Sequence, residues 1–195
     1  MAIMGKHAIT TDTPGNILLG AGTYHRDLKW DEETGTWTGS MLGATSGGGK
    51  ISMVGEFTAL EVDGALVKVK GLTVKTGGTC TIEVNFVEFS KDVLKMGTLF
   101  EEKESDVTGF TMLQDKAHIT EGDYIDNFGF VGYTADGSKQ IIVIFESAIC
   151  TSGIELEPKN KENTIVKLTL EAVAENAGDL DMLPVKIYYP EIAVV

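Results

Sequence analysis

Glycine divides this chain into short strand-like runs, and no other feature narrows the fold as much. Of 195 residues, 23 are Gly and only 4 are Pro, a composition rich in turns and poor in rigid linkers. Between the glycines lie runs rich in Val, Ile, Thr and Phe: Ile51 to Phe57, Leu66 to Val74, Thr81 to Phe89, Phe128 to Tyr133, Gln140 to Cys150, Thr164 to Ala174 and Val185 to Tyr189. Runs of this kind, bounded by turn residues, predict an all-β fold. Alternation is cleanest in three places. Ile51, Met53 and Phe57 share one parity, Ile82, Val84 and Phe86 share another, and Val166, Leu168 and Leu170 oppose Lys167, Thr169 and Glu171, as half-buried strands require. The run from Ile141 to Phe145 is apolar on both parities. It therefore predicts a strand covered on both faces, either central in the sheet or at a subunit contact.

One segment reads as helix, Ser90 to Met96: Ser90 can cap it, Asp92 complements its N-terminal dipole, and Gly97 can end it. Residues 34–49 (TGTWTGSMLGATSGGG) cluster Gly, Ser and Thr around Trp37, Met41 and Leu42, which predicts a long Gly-rich loop over about 30–50. Loops of that length are uncommon unless functional or disordered. Trp37 would either tuck this one under the domain or insert it elsewhere. Residues 101–126 hold eight acids (Glu101, Glu102, Glu104, Asp106, Asp115, Glu121, Asp123, Asp126) against Lys103 and Lys116, an insertion-like region whose simplest reading is a solvated charged face. Neither a repeat nor a composition break divides the chain, so residues 1–195 read as a single domain.

Charge restricts the function classes. With 16 Lys plus Arg against 29 Asp plus Glu, the formal charge is -13, and Arg26 is the only arginine. Gripping nucleic acid needs clustered cations, so DNA could lie close without adhering. No run approaches the roughly 20 apolar residues of a spanning helix. The N-terminal MAIMGKHAITTD lacks an apolar signal core, which leads to the expectation of a protein made and kept in a cytoplasm. Two cysteines, Cys80 and Cys150, are too few for a disulfide framework and read as small buried hydrophobes.

The motifs that suggest chemistry fail on inspection. Residues 44–52 (ATSGGGKIS) resemble a phosphate-binding loop, but Ala44 replaces the first glycine, Ile51 replaces the hydroxyl residue that would hold magnesium, and a strand pattern follows instead of a helix. GAGTYH from Gly20 to His25 lacks the last glycine of a dinucleotide fingerprint. His7, His25 and His118 lie far apart in the sequence, without metal-ligand spacing. Ser46 and Ser147 lack a nucleophile-elbow context, and 29 acids make chance carboxylate pairs inevitable. The chain reads as a non-enzyme that needs no cofactor and no metal.

The segment from Leu42 to Leu94 carries a resemblance. It runs through Leu-Gly-Ala-Thr at Leu42 to Thr45, a Gly-Gly stretch at Gly47 to Gly49, a long strand with Glu56, Val-Asp-Gly-Ala at Val62 to Ala65, Val-Lys-Gly at Val69 to Gly71, and a strand ending in Glu88 just before the helix. In this order and spacing it resembles the major tail (tail tube) proteins of long-tailed, non-contractile bacteriophages. ILLGAGTYHRDL from Ile17 to Leu28 is similar to that family's opening strand, and MLPVKIYYP from Met182 to Pro190 to its closing strands. Residues 101–126 match nothing specific in it.

The resemblance implies a mainly β fold, a β-sandwich or partial barrel with one short flanking helix and long loops, assembling through its sheets into a ring. It implies a structural virion protein: hexameric rings stacked into the hollow tail through which phage DNA is delivered. The inner tube of a contractile tail or of a phage-derived injection device shares the fold and is the alternative. Implied partners are further copies of the chain and the tape-measure, tail-terminator and distal-tail proteins. The implied location is the virion, with host cytoplasm during assembly. On this reading Trp37, Met41, Leu42, Gly47, Gly48, Gly49 and Lys50 form an inter-ring loop. Some of Glu56, Glu61, Glu83 and Asp126 face the lumen, where carboxylates would repel phosphate and let DNA slide. A reading from a different class is a β-sandwich carbohydrate- or receptor-binding module that stacks sugars on Tyr24, Trp30 and Trp37.

Overall fold

A computed structural model describes residues 8–175 and 180–191. Its strands are β1 (Leu18–Asp31), β2 (Thr36–Met41), β3 (Thr45–Ala59), β4 (Thr73–Phe86), β5 (Glu101–Lys103), β6 (Met112–Gln114), β7 (Ile125–Thr134), β8 (Gln140–Cys150), β9 (Val166–Val173) and β10 (Val185–Tyr188). One helix, α1 (Lys91–Thr98), joins two short 3₁₀ turns at Pro14–Asn16 and Glu121–Asp123. Eight strands form one antiparallel sheet in the order β2-β1-β7-β8-β9-β4-β3, with β10 added beside β8. The fold is thus mainly β with one flanking helix, and the sheet curls without closing into a barrel. No described helix is long and apolar enough to cross a membrane.

The curl wraps one apolar face inward. Tyr24 of β1 meets Phe86 of β4 edge-on at 6.4 Å and stacks on Phe128 of β7 at 6.3 Å, although β1 and β4 are four places apart in the sheet. Around them Ile82, Val84, Phe145, Val166, Leu168 and Leu170 are buried, each stabilising the fold by about 1.5–3 kcal/mol relative to exposure. The alternation in β4 and β9 is therefore realised. The IIVIF run is central, pairing with β7 on one side and, from Ile142 to Phe145, with β10 on the other, and β9 takes over that side of β8 from Ser147 to Cys150. Val143 and Phe145 face the inner core, while Ile142 and Ile144 belong to a second cluster with Leu28, Val131 and Trp37 on the convex face.

α1 starts where Ser90 Oγ accepts the Val93 backbone N–H at 3.2 Å, and it buries Val93 and Met96 in the inner core. It does not stop at Gly97. Leu99 takes the left-handed cap, φ 58°, while Gly97 lies within the helix, where a Cβ would come within 2.5 Å of Ile154 and 2.7 Å of Leu168.

Three strand assignments shift. Of the run expected from Leu66 to Val74 only Thr73 and Val74 are strand: β4 begins at Thr73, and every residue from 61 to 71 is exposed. Its alternation has no sheet to face. The run expected to reach Phe89 stops at Phe86. The supposed loop over 30–50 is mostly strand, namely the end of β1, β2, and the start of β3. A tight turn makes this possible. Asp31 Oδ1 accepts the backbone N–H groups of Glu33 and Thr34, and Gly35 takes φ 63°, so Trp30 pairs directly across from Trp37.

Candidate assembly surfaces

The β3–β4 hairpin outgrows its sheet. β4 pairs with β9 only from Thr81 to Phe86, whereas it pairs with β3 down to Thr73 opposite Ala59. Residues 52–59 and 73–80 therefore run on as a two-stranded ribbon ending in the loop 60–72, which Leu60 N–H closes on the Leu72 carbonyl at 2.7 Å. An isolated ribbon cannot cover its own side chains. Phe57 is 67% exposed, Leu66 100% and Val67 78%. So much apolar surface on one projection exceeds the singly scattered exposed residues of an ordinary surface. The Leu-Val-Lys-Val-Lys alternation from Leu66 to Lys70 was its signal in the sequence.

The residues expected in an inter-ring loop are spread over three environments. Trp37 is tucked, as one of the two expectations had it: β1 turns at Asp27, φ 54°, and its hairpin with β2 folds over the convex face, where Trp37 packs against Tyr188 at 4.7 Å and Trp30 at 5.6 Å. Leu42 is buried in the inner core and Met41 is exposed. Gly47 to Gly49 form a bulge in β3 instead of a free arm: Gly47 and Gly48 take φ 77° and 73°, and Asn85 Nδ2 donates to the Gly48 carbonyl at 3.1 Å. A Cβ on Gly49 would strike the Tyr24 hydroxyl and lie 2.6 Å from the Glu83 carbonyl. Glycine is there for close packing. Lys50 is engaged with Glu83 at 3.2 Å.

The candidate lumen acids divide as well. Register places Glu56, Glu83 and Asp126 on the convex face of the sheet, away from the inner core. Glu56 and Asp126 are exposed there, and Glu61 is exposed in the loop beyond β3. Glu83 is flanked by Lys50 and by Lys167 at 3.5 Å. The hydrogen bond from Lys50, aided by both positive charges, holds its carboxyl below the ordinary range. Glu83 thus adds no local negative field, since it is outnumbered by two lysines.

An aromatic groove lies between the folded hairpin and the β8–β10 edge. It encloses about 880 Å³ and is lined by Trp30, Trp37, Gln140, Ile142, Tyr188 and Tyr189. Sequence reasoning found the tryptophans but not the two tyrosines, which the β10 pairing brings alongside. Tyr24 belongs elsewhere: it is buried in the inner core, and desolvation pushes its hydroxyl pKa up.

The acidic region 101–126 is partly ordered by its own contacts. β5 and β6 pair only with each other, as a separate two-stranded sheet. Glu102 ties this hairpin to the helix through Lys91 at 3.2 Å and Lys95 at 3.6 Å. Asp123 is buried. Burial would raise its pKa, but Lys116 and the Thr120 backbone N–H and hydroxyl outweigh that and hold it below its ordinary value.

The cysteines and His25 lie apart from these surfaces or in the strands beside them. Cys80 and Cys150 are both buried in the inner core, and desolvation raises the Cys80 thiol. His25 bonds Thr23 at 2.9 Å, and burial lowers its pKa; His7 lies outside the described residues. Among the described residues no group of three or more His, Cys, Asp or Glu could hold a metal ion. Comparison with protein-family profiles and with curated proteins finds no match for this chain.

Proposed function

We propose that this chain is a structural, self-assembling subunit: a tail tube protein whose copies form rings, six to a ring, that stack into a hollow tube for phage DNA. The observation that carries the reading is the overlong β3–β4 ribbon, apolar at its tip and attached to a sheet whose end strands, β2 and β3, each have one pairing partner among the described residues. Open edges are satisfied when neighbouring copies pair strand to strand, and a head-to-tail contact propagates into rings or filaments. The work is done by geometry, without a cofactor. Glu56, Glu61 and Asp126 then serve as lumen acids past which DNA slides, with Glu83 left out because its charge is cancelled. Electron microscopy of the purified protein across a concentration range tests this. Rings or hollow tubes are expected, and a monomer at every concentration would overturn it. A sheath-bearing tail would make the same chain an inner tube.

A second reading has its own observation. The groove between Trp30, Trp37, Tyr188 and Tyr189 offers aromatic faces of the kind that stack on sugar rings. A carbohydrate-binding module would stay monomeric and be retained on a glycan column, and Trp30→Ala would abolish retention.

A further inference from the structure

The tip of the ribbon is unlike the rest of the molecule in charge. Residues 64–75 (GALVKVKGLTVK) contain Lys68, Lys70 and Lys75 and no acid; with Glu61 and Asp63 just before them the loop 60–72 balances at zero, whereas the other 182 residues hold 14 basic and 27 acidic side chains, a balance of -13. None of these three lysines makes an ion pair among the described residues. They alternate with Leu66, Val67 and Val69, all exposed.

The opposite character occurs at the β5–β6 hairpin. Residues 101–126 carry eight acids and two lysines, a balance of -6. Glu104 and Asp106 are exposed and also lack an ion pair. Acids alone would mean little, but exposed apolar residues are interleaved here too: Val107 is 53% exposed, Phe110 72% and Met112 39%. A hollow of about 520 Å³ opens between Glu102, Glu104, Ser105, Phe110 and Thr111. The two patches match in both respects, apolar against apolar and cation against anion.

They do not meet within one copy. Glu102 is clamped to Lys91, five residues beyond Phe86, and the loop begins at the other end of β4, roughly 40 Å away at the strand rise per residue. We infer that the ribbon tip of one copy docks on the β5–β6 hairpin of the next, with Leu66 and Val67 against Phe110 and with Lys68 and Lys70 facing Glu104 and Asp106. This inference rests on the self-assembly reading and supplies the contact through which it proceeds. In a chain of formal charge -13, copies repel at long range. A tip segment carrying Lys68 and Lys70 that meets an acidic face selects one contact geometry out of many.

Charge exchange tests it. K68E/K70E and E104K/D106K each place like charges across the contact, and each is expected to raise the concentration needed for assembly by about tenfold or more. An equimolar mixture of the two variants restores opposite charges at every contact and should recover assembly, as should one chain carrying all four substitutions. All four sites are exposed and free of ion pairs among the described residues, so each variant is expected to fold, which its circular dichroism and urea midpoint check. If wild type forms tubes and either variant assembles equally well, or if the mixture stays blocked, the docking pair is wrong while the tube reading stands. If wild type never assembles, both fall.

Discussion

The root of the β3–β4 hairpin and the loop at its tip lie on one continuous stretch of chain and have similar sequence, yet they end in opposite states. At the root, Ile82, Val84 and Phe86 are wholly buried; at the tip, Leu66 is wholly exposed. Strand propensity does not separate them, since both alternate apolar with polar residues. What differs is a third strand. β9 pairs from Thr81 to Phe86 and no further, so the root has a sheet to face and the tip has only itself. Apolar surface that folding leaves uncovered at the tip remains for association.

The largest test of this contrast is a pair of truncations. Phe86→Ala should cost about 3–5 kcal/mol in urea unfolding, while Leu66→Ala should stay within about 0.5 kcal/mol and show its effect in assembly. Equal losses in stability would mean that the tip packs within its own copy. Next in size, Gly49→Ala forces a Cβ into the Tyr24 hydroxyl and the Glu83 carbonyl and should cost about 1–3 kcal/mol. Gly64→Ala, where nothing lies within 4 Å, should show only the cost of a non-glycine residue at φ 86°, about 1 kcal/mol.

Limited trypsin digestion sharpens the contrast without mutation. Lys68 and Lys70 lie in the exposed loop, and cleavage there is expected well before cleavage at Lys50, which sits in paired strand. A first cut at Lys50 would restore the idea of a free glycine arm. The smallest effect concerns pH. Glu83 is held below its ordinary carboxyl value by Lys50 and Lys167, so its contribution is present above about pH 4.5 and lost as pH falls through the lower folded-state value. Glu83→Gln should therefore flatten the acid limb of the stability profile slightly, and an unchanged limb would show that the pairing contributes nothing measurable.

Much of the core was legible in the sequence because burial on one face imposes a period. Val166, Leu168 and Leu170 announced theirs, and IIVIF announced two covered faces. Ser90 was legible because capping is local. The Gly-rich stretch was misread for a physical reason: Gly47 to Gly49 suggest freedom in isolation, while in the fold Gly47 and Gly48 supply the positive φ of the bulge and Gly49 makes room for Tyr24, which lies more than 20 residues upstream. The aromatic groove was half legible, since pairing of Tyr188 with Ile142 is a long-range choice that no local pattern encodes. Leu66 to Lys70 misled in the other direction, having the period of a strand but no neighbour to complete it.

β8 shares one side between two partners, β9 and β10, and this has a consequence in time. Residues 140–150 are synthesised 35 residues before Val185, the first residue of the strand that completes the edge. At ordinary ribosomal speeds that interval is about 2–7 s, during which Val143 and Phe145 have β7 on one side and an unpaired main-chain edge on the other. An apolar edge open for seconds can pair with a neighbouring nascent chain. Where copies are synthesised side by side, the arrival of four residues, Val185 to Tyr188, limits the time in which one copy's sheet can borrow a strand from another's.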